Sequence, residues 1–170
     1  MNACPALFAE RLTLEPLRAA HADALFPLLA DPELWRYEDD PPPKTAGALR
    51  ARYRRLEARR SPGGEELWLN WALSTPEDGF VGFAQATVFE DGHEAAIAYM
   101  IGKRFWSRGL GTEAASAILR YLADELGVRR AVARVDDRNL ASLRLLEKLG
   151  FHVADDRDRR NVRLELPLTP

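Results

Sequence analysis

The sequence predicts an α+β fold, with a central twisted, mostly antiparallel sheet of about seven strands flanked by about four helices. Three observations predict it. Between residues 67 and 101 lie three apolar-rich runs, "LWLNWALS", "FVGFAQATVFE" and "EAAIAYMI". They are separated by "TPEDG" and "DGH", turn chemistry that makes them an antiparallel meander. The stretch from Ala95 to Asp136 is the one strand–loop–helix–strand unit, hence the one crossover able to join parallel strands. Two further strand-like runs, "FHVADD" and "VRLELPL", flank the polar turn "RDRRN" near the end.

The elements follow in order. "RLTLEPL" alternates Leu12 and Leu14 with polar neighbours and stops at Pro16, as a short strand does. "AAHADALFPLLADPELW" has helical spacing through Leu25, Leu28 and Leu29. Pro27 sits inside it, and an interior proline costs about 3 kcal/mol, so a kink or break is expected there. "DDPPPK" is an extended connector. A second helix runs from Thr45 to Arg60 with Leu49, Tyr53 and Leu56 on one face, and "SPGG" ends it. Arg52, Arg55 and Arg59 form a stripe elsewhere on that helix, read as a solvated face, with an RNA surface as the alternative. Trp71, Phe83 and Phe89 are expected in the core. A helix over Gly109–Glu125 follows, closed by Gly127 in the left-handed conformation. "RRAVARVD" is a strand, and "NLASLRLLEKLG" a helix capped by Asn139 and ended by Gly150.

With 170 residues and 46% hydrophobic content, one domain over 1–170 is expected. The net charge of −2 argues against a strongly basic nucleic-acid binder, and no nucleic-acid partner is expected. The one cysteine, Cys4, cannot form an internal disulfide and fits a reducing compartment. It precedes the first strand, where chain ends usually fray. No apolar run approaches the roughly 18 to 20 residues that cross a bilayer, and "MNACPALFAER" lacks a signal-peptide pattern. A cytoplasmic protein without membrane contact is expected.

The stretch "RFWSRGLGTEA" carries the chemistry. It places Gly109 and Gly111 at the start of a helix, where unpaired backbone N–H groups and a partial charge near +0.5 attract an anion. The N–H groups of Arg108, Gly109, Leu110, Gly111 and Thr112 converge there. Two glycines let phosphate oxygens approach the backbone, with Arg104 and Arg108 adding charge. A P-loop requires G-x-x-x-x-G-K-[ST], which is absent. Gly109, Gly111 and Ala114 satisfy G-x-G-x-x-A, with Asp136 ending the next strand where a ribose-binding acid stands. Against a dinucleotide fold stand "GKRFWSR" between strand and first glycine, and the antiparallel meander before the only crossover.

"RFWSRGLGTEA", followed by "NLASLRLLEKLGF", resembles the GNAT superfamily of acyl-CoA-dependent N-acyltransferases. With "ERLTLEPL" and "AIAYMI" added, the chain is most similar to the RimJ/RimL-like branch, over essentially its whole length. The resemblance implies acetyl-CoA as cosubstrate, no metal, and a parallel strand pair that splays to admit it. It implies that backbone N–H groups from Ser107 to Thr112 hold the pyrophosphate. Backbone groups of Tyr99, Met100 and Ile101 pair with the pantetheine arm, one of them polarising the thioester carbonyl. Trp106 stands where the family usually has Gln or Arg. Asn139 corresponds to the Asn that hydrogen-bonds pantetheine, compatibly with its capping role.

The resemblance further implies direct attack by a primary amine, of a protein N-terminus or a small molecule, on the thioester in a ternary complex. Leu146 occupies the position of the Tyr that protonates the leaving thiolate in many members; the resemblance to this branch implies Ser142, one helical turn after Asn139, as the candidate donor. The base is open among Glu94, ranked first, Asp136 and His93, acting directly or through water. Ala96 stands where the branch often has Glu. Three further readings stand beside this one: a CoA-binding module without turnover, a dinucleotide-binding protein and an RNA-binding protein. Monomer and homodimer are both compatible with the branch.

Overall fold

The computed structural model describes the backbone of residues 4–158 and 160–169 and, except at 155–158, their side chains. An eight-stranded sheet is built from β1 (Leu7–Phe8), β2 (Thr13–Pro16), β3 (Leu67–Thr75), β4 (Gly79–Val88), β5 (Glu94–Ile101), β6 (Arg130–Asp136), β7 (His152–Asp158) and β8 (Asn161–Pro167). The helices are α1 (Ala22–Leu29), α2 (Ala46–Leu56), α3 (Leu110–Asp124) and α4 (Leu140–Lys148). Strand order is β1-β2-β3-β4-β5-β6-β8-β7, and every neighbouring pair is antiparallel except β5 with β6.

The alternation of apolar residues decides the faces. Leu69, Trp71, Leu73, Val81, Ala95 and Ile97 point to one face, where Leu110, Ala114, Ile118 and Leu122 of α3 and Leu146 of α4 join them. Leu17, Ala72 and Met100 point to the other, covered by Leu25, Leu29, Leu49 and Tyr53 of α1 and α2. Alanines at 114, 115 and 117 are all buried, which keeps α3 close to the sheet. Glu113 in its first turn favours the helix dipole. At the other end Gly127 has φ 66° and Val128 N–H donates to Leu122 O at 2.9 Å, a Schellman closure. Among the described residues no helix is long and apolar enough to cross a membrane.

Four expectations are corrected. The sheet has eight strands rather than about seven, because the two residues of β1 pair with Leu14 and Thr13 and are too short to show a period. Pro27 does not break its helix: α1 runs through it to Leu29. The missing N–H costs the helix one bond, to the Asp23 carbonyl, and the chain stays helical for two residues beyond it. Helix α2 stops at Leu56, and Arg59 takes φ 60°; its guanidinium donates to Leu17 O at 2.8 Å and Asn70 O at 3.3 Å. Arg59 therefore leaves the stripe with Arg52 and Arg55 and ties α2 to the sheet. Cys4 does not fray but is fully buried, and burial pushes its thiol pKa up. Trp71 is in the core, whereas Phe83 and Phe89 are half-buried. The turn expected at 157–161 contains Arg159, which lies outside the described residues.

Candidate active site

The parallel pair splays. Strands β5 and β6 pair only at Glu94–Arg130, Ala95–Ala131 and Ala96–Val132, although they run on to Ile101 and Asp136. Beyond Ile97 and Ala133 the two backbones no longer hold each other, which leaves a wedge with the connection to α3 at its mouth.

That connection is fixed by its own side chains. Phe105 is buried, with the Arg104 and Arg108 guanidinium groups 4.6 and 5.6 Å from its ring centroid. The indole N–H of Trp106 donates to Ile101 O at 2.7 Å and closes the strand end onto the loop. Ser107 (φ 61°) and Gly109 (φ 77°) then turn the chain into α3 through two left-handed residues. Among the described residues, the backbone N–H groups of Ser107, Arg108, Gly109, Leu110, Gly111 and Thr112 make no hydrogen bond. Six unpaired donors at the start of a 15-residue helix fit a pyrophosphate, which supplies acceptor oxygens and negative charge.

Two details differ from the sequence reading. Arg108 does not offer its cation freely to the loop, because it pairs with Asp78 at 3.0 Å. Arg11, with no local signal in the sequence, lies there instead. Its Nη1 donates to Arg108 O at 2.8 Å, its Nε to Glu113 at 2.8 Å, and Nη2 comes within 3.3 Å of where a Cβ on Gly109 would stand. Gly111 is buried, and its missing side chain serves packing. A Cβ there would meet Leu145 Cδ1 at 3.0 Å and the Tyr99 ring at 3.6 Å.

Tyr99 and Ser142 converge. The Tyr99 hydroxyl and Ser142 Oγ are 2.9 Å apart, and Asn139 Oδ1 accepts from Ser142 N–H at 3.2 Å. Burial pushes the Tyr99 phenol pKa up, while the bond to Ser142 pulls it down. Met100 is buried toward α1 and α2, whereas Ala98 on the same face of β5 is exposed.

The candidate bases stand differently. Glu94 lies at the closed end of the wedge, where its carboxylate takes Arg130 at 2.8 Å and Arg163 at 3.1 Å. Asp136, at the open end, accepts from the Arg138 side chain at 2.7 and 2.8 Å, which holds its carboxyl down at about 2. Arg138 in turn lies 5.6 Å from the ring centroid of Tyr37, in the α1–α2 connection. His93 donates its backbone N–H to Asp91 at 2.9 Å in the turn before β5. A groove of about 610 Å³ has Leu28, Phe80, Lys103 and Arg104 in its walls. It includes none of Tyr99, Gly109, Asn139 or Ser142.

Comparison with known proteins shows the family and the fold. A 27%-identical relative, described as the uncharacterized N-acetyltransferase p20 of Bacillus licheniformis, aligns over 85% of this chain and 81% of its own. The crystal structure of an acetyltransferase (GNAT family) from Bacillus anthracis superposes with TM-score 0.79 at 19% identity, covering 95% of this chain and 98% of that one. A spermidine N-acetyltransferase from Vibrio cholerae, solved in complex with CoA and spermine, has TM-score 0.76 at 15% identity, with 92% and 95% covered. The family model described as "Acetyltransferase (GNAT) domain" matches residues 11–152, and the chain belongs to that family of acetyltransferases.

Proposed function

We propose that this acyltransferase is an acetyl-CoA-dependent N-acetyltransferase of the RimJ/RimL-like branch, a single domain that acts on a primary amine in the cytoplasm. The observation that carries the reading is the row of six unpaired N–H groups, residues 107–112, beside the splayed β5–β6 pair. Those amides hold the pyrophosphate, and Arg11 adds the nearby positive charge. Backbone groups of Tyr99 pair with the pantetheine amides; Met100, expected to join them, instead turns its N–H and C=O to Phe83 of β4, and at Ile101 only the N–H serves, its carbonyl being engaged by Trp106. Asn139 adds a hydrogen bond to the pantetheine. Ser142 protonates the departing thiolate.

The ammonium proton of the acceptor leaves through water. Glu94 is engaged by two arginines at the closed end of the wedge, and Asp136, held near 2, is too weak a base at neutral pH. Acceptor classes to be tried are polyamines, amino-acid amides and short peptides with free N-termini.

Two measurements test the reading. Calorimetry should show acetyl-CoA binding to the wild type and none to Gly109→Val, whose β-branched side chain is strained at φ 77° and blocks the loop. Retained affinity in that variant rejects the loop. Thiol release with the amine panel tests turnover. A second reading, CoA binding without turnover, is favoured by Leu146, which leaves α4 without a tyrosine. Steady CoA release with any of the amines excludes it.

A further inference from the structure

The pair Tyr99–Ser142 carries more than a contact. Ser142 is fixed twice, at its backbone N–H by Asn139 and at its hydroxyl by Tyr99, and the latter bond of 2.9 Å runs with either oxygen as donor. The Tyr99 ring lies beside Gly111, 3.6 Å from where a Cβ on that residue would stand. Helix α4 has the sequence LASLRLLEK and carries no tyrosine, histidine or cysteine. The phenol beside Ser142 comes instead from β5.

A serine hydroxyl is a far weaker acid than a thiol, so a proton passed from it to a thiolate runs uphill unless the serine oxygen is resupplied. A phenol is a far stronger acid than an aliphatic hydroxyl and so stands closer to a thiol, and proton transfer is most efficient between matched groups. Burial keeps the Tyr99 phenol protonated at neutral pH.

We infer that Tyr99 is the positioning residue for the proton-donating step, orienting the Ser142 hydroxyl and restoring its proton. As the carbon–sulfur bond breaks, sulfur keeps the electron pair. The Ser142 proton passes to sulfur, the Tyr99 proton passes to Ser142 Oγ, and the phenolate is reprotonated through water by the proton that the attacking nitrogen releases, so that no net charge is left on the protein or the solvent. The inference rests on Ser142 being the donor.

The test compares wild type, Tyr99→Phe, Ser142→Ala and the double variant. CoA release is followed with spermidine, a seryl pentapeptide or water as nucleophile, and binding of CoA and desulfo-CoA is followed by calorimetry. Tyr99→Phe is expected to lower kcat about tenfold with KM for acetyl-CoA within about twofold. Ser142→Ala should lower kcat at least as much, and the double variant no further, because Tyr99 acts only through Ser142. The preference for CoA over desulfo-CoA should shrink in both single variants.

Unchanged kcat in Tyr99→Phe beside a loss in Ser142→Ala overturns this inference and leaves the Ser142 reading standing. So do losses that multiply in the double variant, or an affinity for acetyl-CoA that collapses in Tyr99→Phe. Unchanged kcat in Ser142→Ala rejects the Ser142 reading, and this inference with it.

Discussion

Arg11 and Glu113, 102 positions apart in sequence, meet with Nε 2.8 Å from Oε2, and the Glu113 carboxylate also accepts the backbone N–H groups of Arg11 and Leu12. One carboxylate on the first turn of α3 thus holds the approach to β2. The two partners should not be equivalent. Arg11→Ala removes an exposed ion pair, worth about 0.2–1 kcal/mol, and one bond to the Arg108 carbonyl. Glu113→Ala strands two backbone donors and should cost about 1–3 kcal/mol. Urea unfolding should rank Glu113→Ala below Arg11→Ala. Calorimetry should rank Arg11→Ala as the weaker binder of acetyl-CoA, through charge lost beside the loop.

Gly111 offers a graded test of packing at the wedge. Alanine gains roughly 1 kcal/mol of helix propensity and needs only the end of the Leu145 side chain to yield. Its unfolding midpoint should stay near wild type. Valine reaches the Tyr99 ring as well and should cost about 1–3 kcal/mol as overpacking. It should also lower kcat by displacing Tyr99 from Ser142, and wild-type turnover in Gly111→Val would show that the ring position is not needed.

For Glu94→Gln the expectation is a structural phenotype. The change leaves Arg130 and Arg163 without their counter-ion, and among the described residues Arg163 Nε is already buried without a partner. A loss of about 1–3 kcal/mol in urea unfolding should accompany kcat within about twofold of wild type. The opposite pattern, full stability with kcat abolished, would restore Glu94 as the base.

The acid limb of stability should report Asp136. Arg138 holds its carboxyl at about 2, below the ordinary carboxylate value near 3.9. A group depressed in the folded state contributes stability that is complete above the unfolded value and lost as pH falls through the folded one. The contribution should therefore fade between about pH 4 and pH 2. Asp136→Asn should flatten that part of a urea-unfolding series and leave its shape above pH 5 unchanged.

Much of this was legible in the residues, for physical reasons. The meander declared itself through period-two alternation and turn dipeptides, and the row of unpaired N–H groups through glycines at a helix start. Asn139 and Gly127 took the capping roles their chemistry favours. What escaped depended on distance. Nothing local marks Arg11, which reaches the loop only because β2 runs past α3. Glu94 ranks first as base from sequence, yet the register that confines β5–β6 pairing to three residues, and so places Glu94 at the closed end, leaves no trace in either strand alone. Gly111 was assigned to phosphate access because its competing role depends on Tyr99 and Leu145 arriving from two other elements.

The order β6-β8-β7 bears on how the molecule is made. When β7 leaves the ribosome its neighbour has not been synthesised, and β6 has an empty flank seven residues long. Strand β8 must then slot between two strands already in being, and it brings Arg163 to Glu94 as it does so. The wedge's closed end is thereby locked only after β8 has been translated, so a nascent chain halted before Asn161 holds the parallel pair without that clasp.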